Sequence, residues 1–209
     1  LCYLGDFLDS YVSQPLAQVT SLKLMLQQVE AGVAKCVLSN HDAGYAYPAL
    51  NGWCSGWNSS TAAMVCAGPL ANRMQKLLMP CVQYTPANGA NVLVTHAGVS
   101  QVWLDALDED ISSTQLETFA HTIPSPYYWI GRARGGIDPT SGPLWCDWDE
   151  EFIPVPDMVQ VVGHTHKKTI QRRGPAEAPQ ALNVDCLGEG KENVVLQLHK
   201  DGTFSNVIV

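Results

Sequence analysis

The sequence predicts an α/β fold, with sheets covered by helices, from three observations. Short apolar runs recur at residues 33–38, 91–95 and 158–162, the length of buried strands rather than of helices. Stretches with helical apolar spacing or helix-forming composition separate the first of these runs. The end of the chain carries strand signals alone, around 181–184, 193–198 and 203–208. Strands alternating with helices, then strands by themselves, indicate sheets flanked by helices. A length of 209 residues fits one domain with a sizeable core, and a single domain over residues 1–209 is expected.

The elements follow in order. Residues 1–4 read as the end of a strand. Residues 13–32 read as a helix, with Leu16, Val19, Leu22, Leu26 and Val29 near period 3.6. Ser13 is the expected N-cap, Pro15 suits the first turn and Gly32 can end the helix. Residues 45–60, rich in Gly, aromatics, Asn and Ser, predict a long loop beside a site. Residues 61–79 predict a helix that Gly68-Pro69 breaks or kinks. Residues 99–119 predict one or two helices. Residues 121–156, dense in Pro, Gly and Trp, predict an irregular insertion. Asp201-Gly202 signals a hairpin turn between the last two strands.

Composition narrows the partners. The formal net charge is −8, and no basic cluster exceeds Lys167-Lys168 or Arg172-Arg173. Long nucleic acid needs a basic surface to meet its phosphates, so it is not an expected partner. An acidic chain that acts on phosphate must place positive charge locally, and metal ions would do that. The 7 cysteines are odd in number and have no regular spacing, which points away from a disulfide framework and toward a reducing, cytoplasmic compartment. Cys36, inside an apolar run, is an expected buried thiol. No apolar run approaches the ~20 residues of a membrane span, so no membrane is expected as a partner.

Four short motifs carry the chemistry: Gly5-Asp6-Phe7-Leu8-Asp9, Ser39-Asn40-His41-Asp42, Thr95-His96-Ala97-Gly98 and Gly163-His164-Thr165-His166. Each follows a short apolar run. Singly, each has a commonplace reading. Asp6 could be a turn aspartate, Asn40 a helix cap, and His96 a hydrogen-bonded core group. Together they set Asp, Asn and His at strand ends, where open α/β sheets place their sites. On extended backbone, His164 and His166 would point to the same face.

The order GD-x-x-D, N-H-D, H-A-G and G-H-T-H resembles the calcineurin-like metallophosphoesterase superfamily, over about three quarters of the chain. The resemblance implies a four-layer αββα sandwich of two mixed sheets flanked by helices. It also implies two divalent metal ions, with manganese favoured and iron or zinc suited to the same ligands. In that pattern Asp6 bridges both metals, and Asn40, His96 and His164 complete the second. His166 binds the first. His41 lies next to the metals, where it protonates the leaving oxygen or holds the phosphate, and Asp9 or Asp42 is its acidic partner. Two metals roughly 3.5–4 Å apart clamp phosphate oxygens and acidify water for in-line attack.

Three departures matter. The superfamily's opening D-x-H motif is absent and is expected upstream of Leu1, on an N-terminal strand. Ser10 stands where the phosphoprotein phosphatase branch has a phosphate-gripping Arg. Ser39 stands where Gly is usual. Arg132 or Arg134, beside Gly135-Gly136, can supply the grip through a guanidinium fork. The stretch from Arg134 through Trp148 is similar to bacterial and phage phosphatases of the serine/threonine-like class. Trp53 and Trp57 could wall the cleft.

The expected function is hydrolysis of phosphate monoesters, with a phosphoprotein or small phosphate ester as substrate. The alternatives are a phosphodiesterase or dinucleotide-polyphosphate hydrolase of the same superfamily, and a non-catalytic binding module that lost its first metal.

Overall fold

The computed structural model describes residues 1–50, 52–87, 91–107, 112–175, 179–187 and 194–209. Residue 51, residues 108–111 of the expected helical stretch 99–119, and residue 193 of the expected strand 193–198 lie outside them. The chain divides into two compact units, Leu1–Pro80 and Cys81–Val209.

The first unit holds a parallel sheet of β1 (Cys2–Tyr3), β2 (Lys35–Val37) and β3 (Leu78–Met79), in that order among the described residues. Tyr3 pairs with Cys36, and Cys36 with Leu78. Helix α1 (Pro15–Glu30) returns the chain from β1 to β2. It buries Val19, Leu22, Met25 and Leu26, against β2 and two later helices. Leu16 stays exposed. The expected Ser13 cap is not made: Gln14 occupies the N-cap without a side-chain bond. Instead the buried Gln18 folds back, donating to the carbonyls of Ser10 and Ser13.

Residues read as the start of a long loop are partly helical. α2 (Asn40–Ala46) begins directly after β2, capped by Ser39. α3 (Ser59–Val65) is capped by Asn58. α4 (Pro69–Leu77) starts at the expected Gly68-Pro69 break.

The second unit holds a mixed five-stranded sheet. Its strands are β4 (Val82–Tyr84), β5 (Val92–Val94), β6 (Val159–Val162), β7 (Gln171–Arg173) and β8 (Ala181–Asn183), ordered β4-β5-β6-β8-β7. β5, β6 and β8 run parallel at its centre. The stretch after β5 forms α5 (Gln101–Leu107) and α6 (Ser113–His121). α6 opens with a reciprocal capping box between Ser112 and Gln115. The insertion at 121–156 is irregular, apart from short 3-10 turns at Pro126–Tyr128 and Arg132–Arg134. β9 (Val194–Leu198) and β10 (Phe204–Ile208) form the expected antiparallel hairpin.

A core of Ala97, Cys146, Trp148, Phe152, Val162 and Ala181 joins this insertion to the strand ends. Sheets flanked by helices are therefore observed, as the sequence predicts. All seven cysteines are free thiols. Among the described residues, no helix is long and apolar enough to cross a membrane.

Candidate active site

In the first unit, the residues after β1 and β2 are tied into one knot. Gly5, Asp6 and Asp9 all have positive φ, at 92°, 59° and 65°. Gly5 is required there: a Cβ would lie 2.5 Å from the Ser39 Cβ. The Ser39 hydroxyl accepts from the amides of Asp6 (3.0 Å) and Asp42 (3.1 Å), and donates to Asp42 Oδ2 (2.8 Å). Asp42 Oδ1 accepts from the amides of Phe7 and Leu8, both at 3.2 Å. Asp42 is fully buried. Burial, then the nearby Asp6 carboxylate, pushes its carboxyl up to about 7, against the hydrogen bonds that favour the ionised form.

Asp42 thus holds the GD-x-x-D loop, and Asp9 meets the histidine. His41 Nδ1 lies 3.0 Å from Asp9 Oδ2, which settles the geometry the sequence left open between the two acids. Burial pulls the His41 pKa down. The Asp9 hydrogen bond and the charges of Asp6, Asp9 and Asp42 outweigh it, so the value is raised above 6.5. The other Asp9 oxygen, Oδ1, accepts a hydrogen bond from the Tyr45 hydroxyl. Tyr45 Oη in turn accepts from the Asn58 amide at 2.8 Å. The Tyr45 ring is buried and stacks on Trp57 at 6.2 Å.

In the second unit, parallel pairing sets two histidines side by side. β5 and β6 are neighbours in register, Val94 beside Val161. Thr95-His96 and Gly163-His164 therefore leave the sheet at the same end. The Gly163 amide donates to the His96 carbonyl at 2.7 Å. His96 Nε2 and His164 Nδ1 lie 3.1 Å apart. Trp145 meets the His164 ring edge-on at 5.9 Å. Gln160, fully buried on β6, clamps the loop after His96 by bonding both the amide and the carbonyl of Val99. Gly98, at φ 112°, sits where a Cβ would fall 2.5 Å from the Phe152 ring.

The fold is similar to that of a solved phosphatase. The crystal structure of a cold-active protein-tyrosine phosphatase of a psychrophile, Shewanella sp., matches with a TM-score of 0.59. The match covers 98% of this chain and 68% of that one, at 14% sequence identity. No family model and no curated protein matches the sequence. At that identity the likeness is one of fold.

The predicted residues fall into distinct groups. Asp9, His41 and Asp42 lie in the first unit's knot, with Asp6 and Asn40 on the same two segments. His96 and His164 face each other in the second. His166 departs from expectation. β6 ends at Val162, His164 has φ 67°, and the Thr165 amide turns back to the Gly163 carbonyl. The backbone is not extended, so alternation cannot place His164 and His166 on one face. His166 is exposed, with Nδ1 2.8 Å from Asp185 Oδ2.

The two arginines also separate. Arg134 is occupied: Nη2 donates to Asp147 Oδ2 (2.8 Å) and to the Thr165 hydroxyl (2.7 Å). Arg132 is exposed. Ser10 is locked in its loop, its amide donating to Gln18. Trp57 packs on Tyr45.

The sequence reading missed Tyr45, Asn58, Gln160 and Asp185. For Tyr45 a signal existed. It lies four residues after His41, neighbours on a helix, but only once residues 40–46 are known to be helical.

Proposed function

We propose that the protein is a metal-dependent phosphoesterase acting on phosphate monoesters. The facing His96 and His164 nitrogens carry this reading: two imidazoles converging at 3.1 Å are a nitrogen donor pair suited to a divalent transition metal. The motif order assigns Asp6, Asn40 and His166 as further ligands, and their oxygen and nitrogen donors suit manganese, iron or zinc. Bound metal would polarise phosphate oxygens and supply an acidified water.

The chain's own groups would do the rest. His41, its pKa raised beside Asp9, is the proton donor to the leaving alkoxide, and Asp9 fixes its Nδ1 proton so that Nε2 faces the substrate. Arg132, the exposed arginine, would meet the phosphate, while Arg134 braces the Thr165 segment. The solved structure that shares the fold is named a protein-tyrosine phosphatase, which favours a monoester and makes an aryl phosphate the first substrate to try.

The test compares a monoester and a diester of one chromogenic phenol, with manganese added. Faster monoester turnover, lost in His41→Ala, supports the reading. Faster diester turnover would make the protein a diesterase. No turnover of either, with no bound metal, would make it a binding module.

A further inference from the structure

We infer that Tyr45 is a positioning residue for the reaction, the anchor that holds Asp9 and through it His41. The inference rests on the phosphoesterase reading for its kinetic consequence but not for its geometry. An amide N–H can only donate, so at Asn58 the Tyr45 oxygen must accept. The phenolic proton is thereby left for the other partner, Asp9 Oδ1. Burial, and after it the Asp9 carboxylate, pushes the phenol pKa up, which keeps that proton in place.

Asp9 is therefore gripped at both oxygens, Tyr45 on Oδ1 and His41 on Oδ2. The result is a directional chain: Asn58 amide to Tyr45, Tyr45 to Asp9, and His41 Nδ1 to Asp9. A buried carboxylate with one donor removed could rotate about its χ2 torsion, and the His41 ring would lose its fixed orientation.

Three rigid features support the anchor itself. Tyr45 lies on α2, the helix that carries His41, so the spacing of the two side chains is set by helix geometry. Its ring is stacked on Trp57. Asn58 is the N-cap of α3, its side chain accepting from the amides of Ser60 and Thr61, so the amide that orients Tyr45 belongs to a fixed turn. Asp9 has positive φ, a conformation that this network of contacts maintains.

The experiment is Tyr45→Phe, which removes the hydroxyl and keeps the ring on Trp57. Positioning of a general acid matters most when the leaving group is poor. Turnover of phenyl phosphate should fall about tenfold, part of the roughly 10²–10⁴-fold that general acid catalysis contributes, with KM little changed. Turnover of 2,4-dinitrophenyl phosphate, whose leaving group needs no proton, should fall less than about twofold. Asp9→Asn combined with Tyr45→Phe should be no slower than Asp9→Asn alone, because both act through one pathway. Equal losses on both substrates, or additive losses, would overturn the inference.

Proton NMR reads the same network without turnover. The unaltered protein should show slowly exchanging downfield protons from the Tyr45 hydroxyl and His41 Nδ1, and Tyr45→Phe should lose the first and broaden the second. Absence of both signals in the unaltered protein would refute the network. Their presence in a protein that hydrolyses no phosphate ester would leave Tyr45 as the anchor and remove the phosphoesterase reading instead.

Discussion

The two units present their candidate residues by different devices. In Leu1–Pro80 the chemistry lies in a left-handed loop and the first turn of a helix. Side chains bonding to backbone amides hold it: Ser39, Asp42 and Gln18 each secure a neighbouring loop segment. In Cys81–Val209 the chemistry lies at the ends of adjacent parallel strands, and strand pairing supplies the positions. The first device depends on buried polar groups and should fail when an acceptor is removed. The second depends on packing beneath the strand ends and should fail when volume is added.

The difference can be sharpened by variants, beginning with the largest expected effect. Replacing both His96 and His164 by Ala should remove bound metal and lower phosphate ester turnover by at least about 10³-fold, since metal polarisation contributes several kcal/mol. Metal analysis alongside kinetics checks it. His41→Ala should lower kcat by about 10²–10³-fold and leave metal content unchanged. If His41→Ala lost its metal, the division of labour between the histidines would be wrong.

Stability effects come next. Gly98→Val adds volume against Phe152 and imposes a positive φ on a β-branched residue, and should cost about 2–4 kcal/mol. Asp42→Ala strips the Phe7 and Leu8 amides and the Ser39 hydroxyl of their acceptor, and should cost about 1–3 kcal/mol. Asp42→Asn, which retains one acceptor oxygen, should cost less than Asp42→Ala. Chemical denaturation measures all three. Equal losses for the two Asp42 variants would remove the acceptor role.

The smallest effects separate the arginines. Arg134→Ala should cost about 1–2 kcal/mol by freeing Asp147 and Thr165. Arg132→Ala should leave the unfolding midpoint unchanged and raise KM for phosphate esters. The reverse pattern would exchange their roles.

The same contrast explains what the sequence could disclose. The strand-end positions of His96 and His164 were legible because each follows an apolar run that locally forms a strand. The hairpin was legible from Asp201-Gly202, and the break before α4 from Gly68-Pro69. β3, β4 and β7 were not. They have two or three residues each, and β7 is Gln171-Arg172-Arg173, which carries no apolar signal. α2 was hidden because its last residues, Tyr45 and Ala46, fall in the stretch read as loop. Its helical form follows from the local Ser39 cap on the Asp42 amide and from the burial of Asp42, which bonds amides more than thirty positions away. The choice between Asp9 and Asp42 as the partner of His41 was likewise tertiary: both lie in a motif, and only the left-handed turn at Asp9 brings its carboxylate to the ring. The expected shared face of His164 and His166 failed because the alternation rule assumes extended backbone, and the chain turns at His164.

The most direct measurement is hydrolysis of an aryl phosphate monoester by the purified protein before and after chelation, with metal content followed in the same samples. Activity and metal should disappear together, and manganese should restore both to the unaltered protein but not to the variant lacking His96 and His164. Hydrolysis that continues undiminished in metal-free protein would contradict metal dependence.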